Sequence, residues 1–199
     1  NHIGHFLLTN LLMPAILAGA NPRIVNLSSA GHTHSDVNLD DPNFEKSEYN
    51  AWESYGRSKS ANIHFTQEIV RRYGDRIQSF AVHPGVIMTE LGRHLTPELM
   101  NEMTERVKSR ATSSSQAKET GALPFKSVEA GAATQVWASV TEKLSENNGA
   151  YLGDCQVGVE GGNPSESGYL PYIFNKDTAE ALWSLSEKLV KQEFPQLTS

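Results

Sequence analysis

The amino-acid sequence predicts an α/β fold, a parallel sheet with helices on both faces. Two observations predict it. Helical and strand-like hydrophobic periods alternate along the chain, and the strand-like runs are short, apolar and rich in β-branched residues. A third observation says where chemistry belongs, because ligands of such sheets sit beyond the carboxyl ends of the strands. The 199 residues, 38% hydrophobic and 20% charged, read as one domain over 1–199 with a sizeable core.

Residues 2–18 form the first predicted helix, with Ile3, Phe6, Leu7, Leu11 and Ile16 at helical spacing. Pro22 closes the following turn, and "RIVNLS" (23–28) is a candidate buried strand. Residues 30–48 are polar and acidic and read as a long loop, its 36–48 part a solvated edge. A helix over 49–73 carries Tyr55 and Lys59 and stops at Gly74. "RIQSFAVH" (76–83) is the second strand, broken by Pro84-Gly85. Thr96-Pro97 has the chemistry of a helix start, cap then proline. Residues 109–124 are small and polar and read as a mobile loop. A third strong helix is expected over 127–144 with a Val136/Trp137 face, a third strand over 149–157, and a closing amphipathic helix over 177–192.

Composition excludes several classes. Net charge is −6 with no basic run, so the electrostatic footprint of a nucleic-acid binder is missing. The longest apolar run, "FLLTNLLMPAILAG", is interrupted by Thr9, Asn10 and Pro14, so no membrane span is expected. The one cysteine, Cys155, cannot form an internal disulfide and reads as a small core residue. It points to a reducing, cytoplasmic compartment. The pairs His2/His5 and His32/His34 lack the carboxylates or cysteines that would complete a metal site, so no metal is expected.

The strand ends hold the chemistry. Ser29 follows the first strand, and Tyr55 begins the next helix, which in a right-handed crossover lies over that strand's end. Lys59 stands one turn beyond Tyr55 on the same face. A nearby ammonium favours the phenolate and would draw Tyr55 down toward neutrality, so that the phenol could exchange a proton with an alkoxide. Ser29 would hold the carbonyl oxygen. Arg57 points away from that face and reads as a surface charge. None of these groups supplies an electron pair, so a hydride carrier is required. Pro84-Gly85 offers a backbone that a flat ring could approach.

Seven segments carry a resemblance: "NHIGHFLLTNLL", "RIVNLSSAGH", "YGRSKSANIHF", "HPGVIMTEL", "GAATQVWAS", "GAYLGDCQ" and "LWSLSEKLV". In this order the chain resembles the short-chain dehydrogenase/reductase family, in its retinol-dehydrogenase-like and WW-domain-oxidoreductase-like branch. The resemblance implies a Rossmann-type domain and NAD or NADP as cofactor, without distinguishing the two. It implies Tyr55 as acid/base, Lys59 as ribose-binding partner, and Ser29 rather than Ser28 as the orienting hydroxyl. It implies Asn1 in a water relay, Pro84 and Gly85 shaping the cofactor turn, and Ile87 and Thr89 on the nicotinamide carboxamide or diphosphate. A homodimer through the helices 2–18 and 49–73 is among its expectations, as is a substrate lid over 92–124. Leu91, Leu95, Leu99, Met100 and Met103 would make that lid apolar, which suits a small apolar alcohol or ketone.

The glycine-rich GxxxGxG turn of that family is absent from the sequence, and "GVEGG" (158–162) follows the last strand, where it cannot open a helix under a pyrophosphate. The expectation is therefore a carboxy-terminal portion of a Rossmann-like domain without its amino-terminal strands. Such a portion would bind dinucleotide poorly, and its first strand would show a bare edge. The alternative is a catalytically inactive truncated chain acting as an interaction module. A hydrolase triad is disfavoured by the lack of a GxSxG elbow. A sugar-nucleotide epimerase or dehydratase, which also uses YxxxK, fits the "HPG" and "GAYLGDCQ" segments less well.

Overall fold

The computed structural model describes residues 1–111 and 125–197. In chain order its helices are α1 (His2–Leu17), α2 (Ala51–Tyr73), α3 (Pro97–Ala111), α4 (Val128–Val140) and α5 (Lys176–Val190). Its strands are β1 (Arg23–Leu27), β2 (Gln78–His83), β3 (Val86–Ile87), β4 (Phe125–Lys126), β5 (Tyr151–Gly153), β6 (Gln156–Val157), β7 (Val159–Glu160) and β8 (Gly168–Tyr169). The main sheet has the order β1-β2-β5-β6. β1, β2 and β5 run parallel.

Alternation along β2 shows why this strand is central. Phe80 and Val82 face Ala138 of α4 and Leu144, whereas Ala81 between them faces Ile63 of α2 and Ile173. A strand buried on both sides must be apolar at successive positions, which "FAV" (80–82) satisfies. A larger cluster joins Phe6 and Met13 of α1, Phe65 and Ile69 of α2, and Trp183 of α5. Helices therefore cover both sheet faces as expected. Among the described residues no strand pairs with the outer side of β1. Leu8, Leu11 and Leu12 leave an exposed apolar ridge on α1.

Several expectations are corrected. The predicted strand 149–157 is a hairpin: Asp154 and Cys155 both have left-handed φ, 50° and 54°, so the chain reverses there and β6 pairs antiparallel with β5. Two successive left-handed residues form the tight turn that suits a strand's own twist. Cys155 consequently lies exposed on that turn, outside the core. The helix expected over 127–144 ends at Val140, and a 3-10 turn over Glu142–Asn147 follows. Val136 is exposed and only Trp137 packs inward. Residues 109–111 complete α3, while the rest of the loop expected over 109–124 lies outside the described residues.

The acidic loop is also more than a solvated edge. Asp41, buried, accepts from the backbone N–H of Glu45 at 2.7 Å and of Ser47 at 3.0 Å, and from the Ser47 hydroxyl. Those hydrogen bonds, the Ser47 hydroxyl foremost, hold its carboxyl below the ordinary value. Arg57, expected at the surface, is buried instead. Its guanidinium donates to the Asp41 carbonyl at 2.7 Å and to Glu53, and lies 3.9 Å from the Phe44 ring centroid. The loop closes over it because these acceptors satisfy a charge that could not otherwise leave water.

His2 is a second buried polar group with a measurable consequence. Its Nε2 lies 2.8 Å from the Ser186 hydroxyl, and burial pulls its pKa down to about 4, partly opposed by Asn62. The unfolded chain therefore binds the extra proton first, and stability is lost as pH falls from about 6.5 toward 4. The full contribution is about 3 kcal/mol. Urea denaturation of His2→Gln and the parent is expected to show the parent's extra stability shrinking between pH 7 and pH 4. Parallel pH dependences would exclude this origin.

Candidate active site

β1 ends at Leu27, and the next residues set the site. The Ser28 N–H makes the last bond between the two strand tips, to the Val82 carbonyl at 2.8 Å. The Ser28 hydroxyl is buried and donates to the Lys59 carbonyl at 2.9 Å, tying α2 to the strand end. Ser29 then caps a short 3-10 turn over Ala30–His34, its Oγ accepting from the Gly31 N–H at 3.0 Å. α2 begins with Asn50 as its cap and lays its first turns against that 3-10 turn.

Ser29 and Tyr55 come together here. The Ser29 side chain is near enough to favour the Tyr55 phenolate, and the Tyr55 ring and Ser29 Oγ both lie against Gly31. Tyr55 as a residue is 36% exposed, so a substrate can reach it from solvent. Lys59 follows one turn on, Nζ 5.5 Å from the Tyr55 ring centroid. Among the described residues its ammonium has one long hydrogen bond, 3.5 Å, to the Leu27 carbonyl. An ammonium carries three donors, so Lys59 retains capacity for an incoming polar group.

The electrostatics correct one expectation. Burial raises the pKa of Tyr55 above its ordinary value, offset in part by the Ser29 hydrogen bond. Burial also lowers that of Lys59. Shelter from water disfavours both charged forms, and at this separation the ammonium does not pull the phenol toward neutrality. As it stands, the phenol is an acid that keeps its proton.

The remaining predicted residues are placed differently. Pro84 and Gly85 follow β2, beside the end of β1, and Gly85 has φ +87°, a conformation that a side chain would strain. The space beside its missing side chain is filled by the Lys126 stem, whose ammonium pairs with Asp154. A planar ring would therefore have to approach by another side of the turn. Ile87 packs its side chain against Gly131 of α4. Thr89 is exposed just beyond. Asn1 is the exposed cap residue of α1, with no cap hydrogen bond from its side chain; no hydrogen bond joins it to Lys59 or Tyr55. The apolar residues Leu95, Leu99, Met100 and Met103 are half-buried. α3 is tethered to the first turn of α2 by the Trp52 indole N–H donating to Glu102 at 2.6 Å.

No protein-family model matches the chain. Curated relatives do. Short-chain dehydrogenase/reductase prx1 of Penicillium roqueforti is 37% identical over 199 aligned residues, 96% of this chain and 54% of that protein. Retinol dehydrogenase 14 of Homo sapiens is 36% identical over 191 residues, covering 96% of this chain and 50% of its own length.

The chain belongs to the short-chain dehydrogenase/reductase family.

It spans about half the length of the curated relatives it matches. A solved structure of an uncharacterized protein from Mycobacterium paratuberculosis superposes with a TM-score of 0.64 at 28% identity, over 98% of this chain and 58% of that one. That agreement supports the Rossmann-like arrangement.

Three residues that position this candidate site escaped sequence reasoning. Gly31 supplies the flat floor under Tyr55, and nothing in "SSAGH" announced it. Ser28, dismissed as a substrate contact, anchors the helix bearing Lys59. Asn62, buried, donates from Nδ2 to the Leu27 carbonyl at 2.9 Å, the acceptor that Lys59 also reaches. Its spacing was a usable signal, since it stands three residues beyond Lys59 on the same helical face. Neither histidine pair gathers metal ligands: among the described residues no group of three could hold a metal ion. No described helix is long and apolar enough to cross a membrane.

Proposed function

We propose that this chain carries the proton-transfer and substrate-orienting residues of an NAD(P)-dependent oxidoreductase that interconverts an alcohol and a carbonyl. The observation that carries this reading is the juxtaposition of Tyr55 and Ser29 at Gly31, beyond the end of β1, with Lys59 one turn away. A substrate oxygen placed between the Tyr55 and Ser29 hydroxyls would accept from both. The backbone N–H of Gly31 holds Ser29 Oγ as an acceptor, which leaves the Ser29 proton for the substrate.

When bound, the dinucleotide supplies the hydride, and Lys59 with its spare donors suits a ribose hydroxyl. Ser29 orients the carbonyl, and Tyr55 delivers the proton as negative charge builds on its oxygen. The half-buried leucines and methionines of residues 95–103 favour an apolar substrate. Kinship with a protein named retinol dehydrogenase 14 accords with that class.

The raised pKa of Tyr55 sets a pH signature. Carbonyl reduction needs the protonated phenol and should stay level from neutrality up through the ordinary tyrosine range, falling only above it. Alcohol oxidation needs the phenolate and should rise over the same range. The test is to follow nicotinamide absorbance with NADH or NADPH and a series of aliphatic and aromatic aldehydes and ketones, in both directions across pH. Dinucleotide consumed in step with alcohol formed supports the proposal. Absence of both dinucleotide consumption and calorimetric binding of either dinucleotide would overturn it.

A further inference from the structure

His83, the last residue of β2, takes no part in the chemistry above, yet it is 2% exposed between the two turns that form the site. Its Nδ1 accepts from the Ala30 N–H at 3.2 Å and from the Gly85 N–H at 3.4 Å. Ala30 follows Ser29. Gly85 opens the segment leading to Ile87 and Thr89.

We propose that His83 is a positioning residue that fastens the Ser29 turn to the Pro84-Gly85 turn through the lone pair on its Nδ1. The strand ladder cannot do this. Its last bond is from Ser28 to Val82, after which β1 enters a 3-10 turn and β2 breaks at Pro84. The N–H groups of Ala30 and Gly85 fall beyond the ladder, and a sheltered N–H without an acceptor is unfavourable. One imidazole nitrogen bridges both gaps. That nitrogen must be unprotonated, so the neutral ring carries its proton on Nε2. The relevance of this fastening to turnover rests on the oxidoreductase reading; the fastening itself does not.

Two substitutions separate an acceptor from a filler. His83→Asn puts a carbonyl oxygen close to the place of Nδ1, and His83→Leu fills the volume with nothing that accepts. Amide exchange followed by NMR should show Ala30 and Gly85 protected in the parent and in His83→Asn. Both should exchange about tenfold faster in His83→Leu, whose loss is that of one shared hydrogen-bond acceptor. In the parent, the nitrogen-15 shift of Nδ1 should be that of an unprotonated acceptor, a readout that requires no variant. If dinucleotide-dependent turnover is present, His83→Leu should lower kcat on the order of 10²-fold through misplacement of the reacting groups, with His83→Asn restoring most of it.

Unchanged exchange at both amides in His83→Leu, or a protonated Nδ1 in the parent, overturns the proposal. So does an Asn variant as poorly protected as the Leu variant. If His83→Leu does not fold, the parent shift and the Asn variant still decide. Absence of turnover in the parent would sink the oxidoreductase reading instead, and the exchange data would stand on their own.

Discussion

Tyr55→Phe is expected to remove hydride-transfer turnover while leaving dinucleotide affinity within a few-fold of the parent. The ring is retained, so its packing over Gly31 persists and only the hydroxyl beside Ser29 is lost. General acid–base groups contribute on the order of 10²–10⁴-fold to rate, and no described neighbour is placed to replace this one. Lys59 is itself held below its ordinary pKa by burial, but its ammonium lies 5.5 Å from the ring centroid. Steady-state rates and calorimetric dinucleotide titration, measured together, are the check. A variant that keeps more than about a tenth of the parental kcat would remove Tyr55 from the acid/base role.

The second large effect is expected at Gly31. A Cβ built there would stand 2.7 Å from Tyr55 Cδ1 and closer still to Cε1, besides meeting Ser29 Oγ at 3.4 Å. An aromatic ring cannot fold out of the way as a lysine stem can. Gly31→Ala should therefore swing Tyr55 off Ser29 by roughly an ångström, and misplacement of that size costs on the order of 10²-fold in rate. Overpacking should also cost about 1–3 kcal/mol of stability. Gly4→Ala is the matched control: nothing lies within 4 Å of its Cβ position. In helix α1 it should leave turnover alone and raise stability by up to about 1 kcal/mol. Thermal melts with initial rates read both effects. Parental turnover in Gly31→Ala would mean that the Tyr55 ring does not depend on this floor.

Much of this was legible because it depends on period and order. The 3.6-residue pattern of 49–73 put Tyr55 and Lys59 on one face, the β-branched runs marked β1 and β2, and their alternation with helices implied a parallel sheet. Placing Ser29 opposite Tyr55 needed only the handedness of the crossover. The errors share one cause. "GAYLGDCQV" is apolar enough to be one strand, and the reversal at Asp154-Cys155 is a backbone event that hydrophobicity does not encode. Arg57 lies in a polar sequence, and its burial became visible only once Asp41, Glu53 and Phe44 folded around it.

By itself the sequence determined which residue types stand at the strand ends and which helix face carries the phenol and the ammonium, since both follow from local geometry repeated along one chain. The tertiary structure alone decided how those groups behave. Shelter from water raises the phenol of Tyr55 instead of letting Lys59 lower it, Lys126 fills the space beside Gly85, and the Nδ1 of His83 joins the Ala30 and Gly85 turns, far apart in the chain. Electric fields, close contacts and shared acceptors depend on distances between segments far apart in the chain, and those distances exist only after it has folded.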